Sequence, residues 1–148
     1  MKVMVVDDTS MMRAVVKDIL VKFCGIVREN VIEAESGEKA LGSYAMVKPD
    51  LVFLDISMPG MDGITVVKEL KKIDAGAKII MCTSSGDSDD VEECVEAGAV
   101  DYILKPPNPQ RMLQAVERAA GKTLQEIKYG AAEDGGDEAE SEEDNGED

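Results

Sequence analysis

The sequence predicts an α/β domain: a doubly wound, five-stranded parallel sheet with helices on both faces. Three observations carry that prediction. Short apolar runs alternate with helical patterns five times along the chain. The strand runs, such as Val-Met-Val-Val at 3–6 and Leu-Val-Phe-Leu at 51–54, are continuous rather than alternating, as expected where both faces of a sheet are covered. Four of the five runs end on a reactive polar residue, in the order Asp7-Asp8, Asp55, Thr83, Lys105. In a parallel sheet those ends arrive at one edge, and sites in such sheets lie outside the C-terminal strand ends.

The first strand is expected near Lys2–Val6. The first helix follows over about Ser10–Phe23, with Met11, Met12, Val15, Val16, Ile19, Leu20 and Phe23 forming one broad apolar stripe. Thr9 or Ser10 is suited to cap it. A second strand is expected at Val31–Ala34. Glu35-Ser36-Gly37 then reads as a helix start, and a helix to Val47 turns Ala40, Leu41, Tyr44 and Val47 inward. Pro49-Asp50 breaks that helix and introduces the third strand, Leu51–Leu54. A loop with Pro59, Gly60 and Gly63 leads to a helix from about Ile64 to Ile73. The fourth strand spans about Lys78–Cys82, and a polar loop at 83–88 precedes a short helix, Asp89–Ala97. The fifth strand is Val100–Leu104, ended by Lys105-Pro106-Pro107. The last helix starts near Asn108 or Pro109 and runs to about Ala120, with an extension to Lys128 left open. Only the second strand end lacks a reactive group, which fits the flavodoxin-like order 2-1-3-4-5 with that strand at an edge.

Composition narrows the function classes. The chain has 148 residues, 44% of them hydrophobic and only 3% aromatic, so the core is aliphatic. No run approaches the ~18 apolar residues of a membrane span, and the N-terminus enters a strand-like run directly, so no membrane association and a cytoplasmic location are expected. Cys24, Cys82 and Cys94 have no metal-ligand spacing and read as small buried hydrophobes. The absence of histidine removes histidine acid/base chemistry, so any phosphohistidine belongs to a partner. Of 31 acidic residues, ten lie between Glu133 and Asp148, where there is no Lys or Arg. The remainder, 21 acids against 16 bases, is a net −5. Residues 1–128 are therefore assigned to the domain and 129–148 to an acidic, disordered tail. The negative charge disfavours nucleic acid as a partner.

The strand-end residues have a specific chemistry. Two carboxylates ~4 Å apart repel by about 4 kcal/mol at an effective dielectric of 20, so a cluster of three holds protons or binds a cation. Hard oxygen ligands suit Mg²⁺. A carboxylate can also act as a nucleophile and form an aspartyl phosphate. Lys105 would supply a point charge to a phosphoryl oxygen and Thr83 a hydroxyl donor. Taken singly, each residue also reads as a cap, a turn former or a solvated strand end.

The motifs Val-Val-Asp-Asp at 5–8, Leu-Asp-Ile-Ser-Met-Pro-Gly-Met-Asp-Gly at 54–63, Thr83-Ser84-Ser85 and Asp-Tyr-Ile-Leu-Lys-Pro at 101–106 resemble the receiver domain of two-component response regulators, over about Lys2 to Ala120. That fold is already known to have the order 2-1-3-4-5. The resemblance implies that Asp55 is the phosphoacceptor. It implies that Asp8, Asp55 and the backbone carbonyl of Ser57 bind Mg²⁺, with Asp7 acting through a metal-bound water. Thr83 and Lys105 would contact the phosphoryl group, Tyr102 would be the switch aromatic, and the Lys105–Pro106 bond would be cis. Ser57 and Ser85 would flank the route of attacking water and leave the phosphoryl lifetime open. Two charge-assisted contacts at roughly 1.5–3 kcal/mol each come close to the ~5.5 kcal/mol that moves a population from 1:99 to 99:1. The output face would be the fourth helix, fifth strand and last helix.

Met12-Arg13 resembles chemotaxis receivers of the CheY-like kind. This implies a monomeric switch phosphorylated by a CheA-like histidine kinase and binding a flagellar motor switch protein, with a separate phosphatase left open. Because few residues follow Ala120, direct protein contact is the expected output. A stand-alone phosphorelay receiver outside chemotaxis is the alternative. A phosphatase similar to the haloacid dehalogenase superfamily fits less well, since Asp7-Asp8-Thr9 lacks that family's Asp-x-Asp spacing. On this reading the protein is a phosphoacceptor that assists only its own phosphorylation and autodephosphorylation.

Overall fold

The computed structural model describes residues 1–84 and 86–128, so the readings of Ser85 and of the 129–148 tail concern residues outside that range. The strands are β1 (Val3–Val6), β2 (Val31–Ala34), β3 (Leu51–Leu54), β4 (Ile79–Thr83) and β5 (Asp101–Leu104). The helices are α1 (Ser10–Phe23), α2 (Gly37–Val47), α3 (Gly63–Ile73), α4 (Ser88–Ala97) and α5 (Pro109–Ala120). All four strand pairings are parallel and the order is β2-β1-β3-β4-β5, as the sequence predicts.

Alternation along the strands builds two cores. Val3, Val5, Leu51, Phe53, Ile80, Cys82 and Ile103 face α1 and α5 residues such as Leu20, Met112 and Val116. Met4, Val6, Val52, Leu54, Ile79 and Met81 face Ala40, Tyr44, Val66, Leu70 and Cys94 of α2, α3 and α4. Both strand faces are thus dry, which is why the strand sequences show no polar alternation.

Local chemistry sets the helix ends. The Oγ of Ser36 accepts from the Lys39 N–H at 3.1 Å, and Asp62 and Asn108 cap α3 and α5 in the same way. Thr9 occupies the cap position of α1, but its side chain makes no cap hydrogen bond and serves Asp7 instead. The apolar stripe of α1 is narrower than its pattern suggests. Val16, Ile19 and Leu20 are buried, whereas Met11, Val15 and Phe23 are exposed, because α1 packs mainly on the sheet and α5.

The last helix does not run on to Lys128. Gly121 adopts a left-handed conformation at φ 66° and ends α5. A separate helical turn at 124–128 then buries Ile127 beside Cys24, Ile26 and Val31. A 3-10 turn, Arg28–Asn30, precedes β2. The Lys105–Pro106 bond is cis, as the resemblance implies.

Candidate functional site

The sheet ladder itself aligns the strand-end residues. The Asp7 N–H donates to the Ala34 carbonyl at 3.2 Å, the Asp55 N–H to Val6 at 3.1 Å, and the Lys105 N–H to Thr83 at 2.8 Å. Backbone pairing therefore continues one residue past the strands and holds these groups at one level of the edge.

Asp7, Asp8 and Asp55 each offer a carboxylate oxygen, and the three lie within 4.8 Å of one another. Asp7 and Asp55 are buried and Asp8 is exposed, so the cluster opens to solvent through Asp8. The Lys105 ammonium bridges the two buried acids, at 2.7 Å from Asp7 and 3.3 Å from Asp55. It lies closer to Asp7 than to Asp55. Thr83 is fully buried at the end of β4.

The electrostatics follow from this crowding. Burial is the main cause that raises the Asp55 carboxyl above its ordinary value; Lys105 opposes the rise and Asp7 adds to it. For Lys105, burial acts downward, but the hydrogen bond to Asp7 and the charges of Asp55 and Asp7 outweigh it and hold the ammonium above its ordinary value. The Cys82 thiol, below the site on β4, is pushed up to about 11 by burial and takes no part as a thiolate.

Several contacts that the sequence pattern does not indicate complete the site. The Thr9 N–H and hydroxyl both donate to Asp7 Oδ1 at 3.0 Å. Arg13 donates to the Asp7 carbonyl at 2.7 Å and pairs with Glu33 at 2.9 Å, which ties α1 and β2 to the β1 end. The Ser57 N–H donates to Asp55 Oδ1 at 3.2 Å. At Gly63, an added Cβ would lie 2.2 Å from the Asp55 carbonyl, so only glycine lets α3 start against the β3 end. The signal for Gly63 was present as a loop glycine, but its contact depends on where α3 returns to the sheet.

Tyr102 is half-buried on β5, against the α2–α4 core. Arg111 of α5 donates to the Tyr102 carbonyl at 2.9 Å and grips the Asp101 carboxylate at 2.7 and 3.4 Å.

The family profile of the response regulator receiver domain matches residues 3–117. The chain belongs to the response regulator receiver family. Among curated relatives, it is 48% identical to the chemotaxis protein CheY of Bacillus subtilis over 117 residues, which span 79% of this chain and 95% of that protein. Among solved structures, it resembles Vibrio cholerae chemotaxis protein CheY4 with a TM-score of 0.73, at 28% identity over 80% of this chain and 97% of that one. It also resembles CheY of Borrelia burgdorferi, solved in a CheX-CheY-BeF3-Mg complex, with a TM-score of 0.71 at 31% identity over 79% and 87%. Receivers are phosphorylation-dependent signalling switches, and the comparisons place this chain among the CheY-like ones.

The donor set fits the divalent cation that receivers use. Three clustered carboxylates of which one is exposed give hard oxygen ligands and leave open positions for water, which is the pattern Mg²⁺ accepts.

Among the described residues, no helix is long and apolar enough to cross a membrane. A concavity of about 490 Å³ lies at the other end of the strands, lined by Asp50, Leu51, Lys78 and Lys122, away from the carboxylates.

Proposed function

We propose that the protein is a CheY-like chemotaxis switch that takes a phosphoryl group onto Asp55 from the phosphohistidine of a CheA-like kinase. One observation carries the reading: Asp55 shares its edge with two further carboxylates and a lysine ammonium at 3.3 Å. That is a nucleophile, a cation site and a counter-charge for phosphoryl oxygen in one place.

An Asp55 oxygen attacks phosphorus. The new P–O bond forms as the P–N bond to the donor histidine breaks, and the electron pair leaves with that nitrogen, which takes up a proton. Asp7 and Asp8, with Asp55 and the Ser57 carbonyl, would hold Mg²⁺, which screens the approaching oxygens from the carboxylates. Lys105, held over Asp7 and Asp55, is within reach of a phosphoryl oxygen on Asp55. Thr83 donates its hydroxyl to another.

The parity of β4 and β5 supports the route to the output. Thr83 follows Ile79 and Met81, which face the α2–α4 side, and Met81 is paired with Tyr102. Movement of Thr83 toward the phosphoryl group is thus registered on the side of the sheet where Tyr102 packs, and from there on the α4–β5–α5 face. That face would bind a flagellar motor switch protein. The CheX-bound relative supports a further protein partner, such as a separate phosphatase. A cytoplasmic monomer suits this role.

The test is acetyl phosphate with Mg²⁺, read by mass spectrometry. The label is expected on Asp55, absent in Asp55→Asn and absent after chelation. A label on Asp7 instead would support phosphatase-like chemistry and overturn the reading.

A further inference from the structure

The surface of α4 carries a charge that stability alone does not account for. From Ile79 to Leu104 there is no Lys or Arg, and Asp87, Asp89, Asp90, Glu92, Glu93 and Glu96 all fall on α4 or its cap. Acids at the start of the helix are favoured by its dipole, and Asp87 caps it by accepting from the Asp89 N–H at 2.8 Å. Glu92, Glu93 and Glu96 have no such explanation. Glu92 lies past the first turn, Glu93 and Glu96 lie in the second half of the helix where negative charge is unfavourable, and no basic residue is present in the last turn. Asp89 and Glu93, and Glu92 and Glu96, stand four apart as like-charge neighbours, which destabilises a helix. All three glutamates are exposed, and none is in an ion pair among the described residues. The lysines of the neighbouring α3 do not neutralise them. Lys71 donates to the Ala75 and Ala77 carbonyls, Lys72 pairs with Glu69, and Lys68 is solvent-exposed.

Apolar side chains border this acidic surface. Val95 is 59% exposed on α4 itself. β5 is an edge strand, and Val100 extends it by donating to Ile79. Alternation then puts Val100, Tyr102 and Leu104 on one side, the side where Tyr102 packs against the α2–α4 core. Val100 and Leu104 are 46% and 52% exposed.

We infer that the α4–β5 face receives a cationic amphipathic segment of a partner protein, with apolar side chains seated on Val95, Val100 and Leu104 and Lys or Arg paired with Glu92, Glu93 and Glu96. This deepens the output role given above and rests on that reading. Charge sign selects the occupant. The chain's own segment from Glu133 to Asp148, with ten acids and no base, is repelled by this face.

The test uses the full chain and a short amphipathic peptide with Leu and Phe on one face and Lys on the other, against an isomer in which Glu replaces Lys. Binding is read by fluorescence anisotropy with acetyl phosphate and Mg²⁺ present, alongside mass-spectrometric labelling of Asp55. The Lys peptide is expected to bind about tenfold or more tightly than the Glu peptide, and to weaken between about 50 mM and about 500 mM NaCl. The double variant Glu93→Lys/Glu96→Lys is expected to lose that preference. It puts lysine four residues after Asp89 and after Glu92, an arrangement that supports the helix, so folding is secure. A Val95→Ser variant is expected to weaken both peptides while leaving the charge preference. Equal binding of the two peptides, or a preference that survives the double variant, overturns the inference; the latter would locate binding on the acidic C-terminal segment. A preference that depends on α4 but not on Asp55 labelling upholds the surface and overturns its use as a phosphorylation output.

Discussion

Asp55 is held where burial makes its charge unwelcome. Its carboxyl is raised by burial, so the fold is helped below the ordinary carboxylate value of 3.8 and loses that help as pH rises through the folded value. Asp55→Asn is therefore expected to raise the thermal midpoint at neutral pH in chelator, and the gain should shrink as pH falls through the raised value and be gone below the ordinary one. A constant gain at every pH would mean that the amide stabilises by packing instead. The same raised carboxyl predicts that labelling by acetyl phosphate declines on acidification sooner than an ordinary aspartate would allow. Gly63 is a second residue-scale constraint. A Cβ there would lie 2.2 Å from the Asp55 carbonyl, so Gly63→Ala forces α3 and the β3 end apart. An overpacking cost of about 1–3 kcal/mol is expected, read as a lower urea midpoint together with slower Asp55 labelling. An undiminished labelling rate would show that the site tolerates the shift.

Between elements, the Arg111 grip decides how β5 meets α5. One guanidinium holds the Asp101 carboxylate and the Tyr102 carbonyl, so the backbone beside Tyr102 is pinned from the first turn of α5. Burial acts to raise Asp101, but the Arg111 hydrogen bond, the Tyr102 N–H and the charges of Arg111 and Arg118 outweigh it and hold the carboxyl below its ordinary value. That stability is present above the ordinary value and is lost as pH falls through the lowered one. Arg111→Lys keeps the charge but loses the fork. It is expected to lower the thermal midpoint at neutral pH, with the difference from the native protein closing in acid. Such long-range pairing is the part of the molecule the sequence did not show. The strands were legible because both faces are dry, and α1, α2, β2 and β3 fall on the residues their apolar spacing indicates. Asp7 and Lys105 could be placed at one edge by counting strand ends, yet their direct contact joins positions 98 apart, which no local period encodes. Thr9 has the composition of a cap and instead serves Asp7, because a buried carboxylate competes for its hydroxyl more strongly than a solvated helix end. The exposed side of α1 departs from its apolar pattern for a related reason: apolar spacing marks which residues could be buried, and the neighbouring elements decide which are.

At the scale of the whole molecule, the receiver match ends at residue 117 while the packed chain continues to Ile127. Gly121 turns the backbone so that residues 124–128 cross to the end of α1, where Leu124 and Lys128 lie against Gly25. Ile127→Ala is expected to cost about 2–5 kcal/mol, as for other buried aliphatic truncations, and a cost near zero in denaturant melts would show that this turn does not seal the core. Beneath it lies Cys24, fully buried, with its thiol pushed up to about 12 by burial and the nearby Glu117 charge. The turn and the thiol together make a timer. Cys24 and Ile127 share one core, so alkylation of Cys24 is expected to count local openings of that core and to quicken in Ile127→Ala.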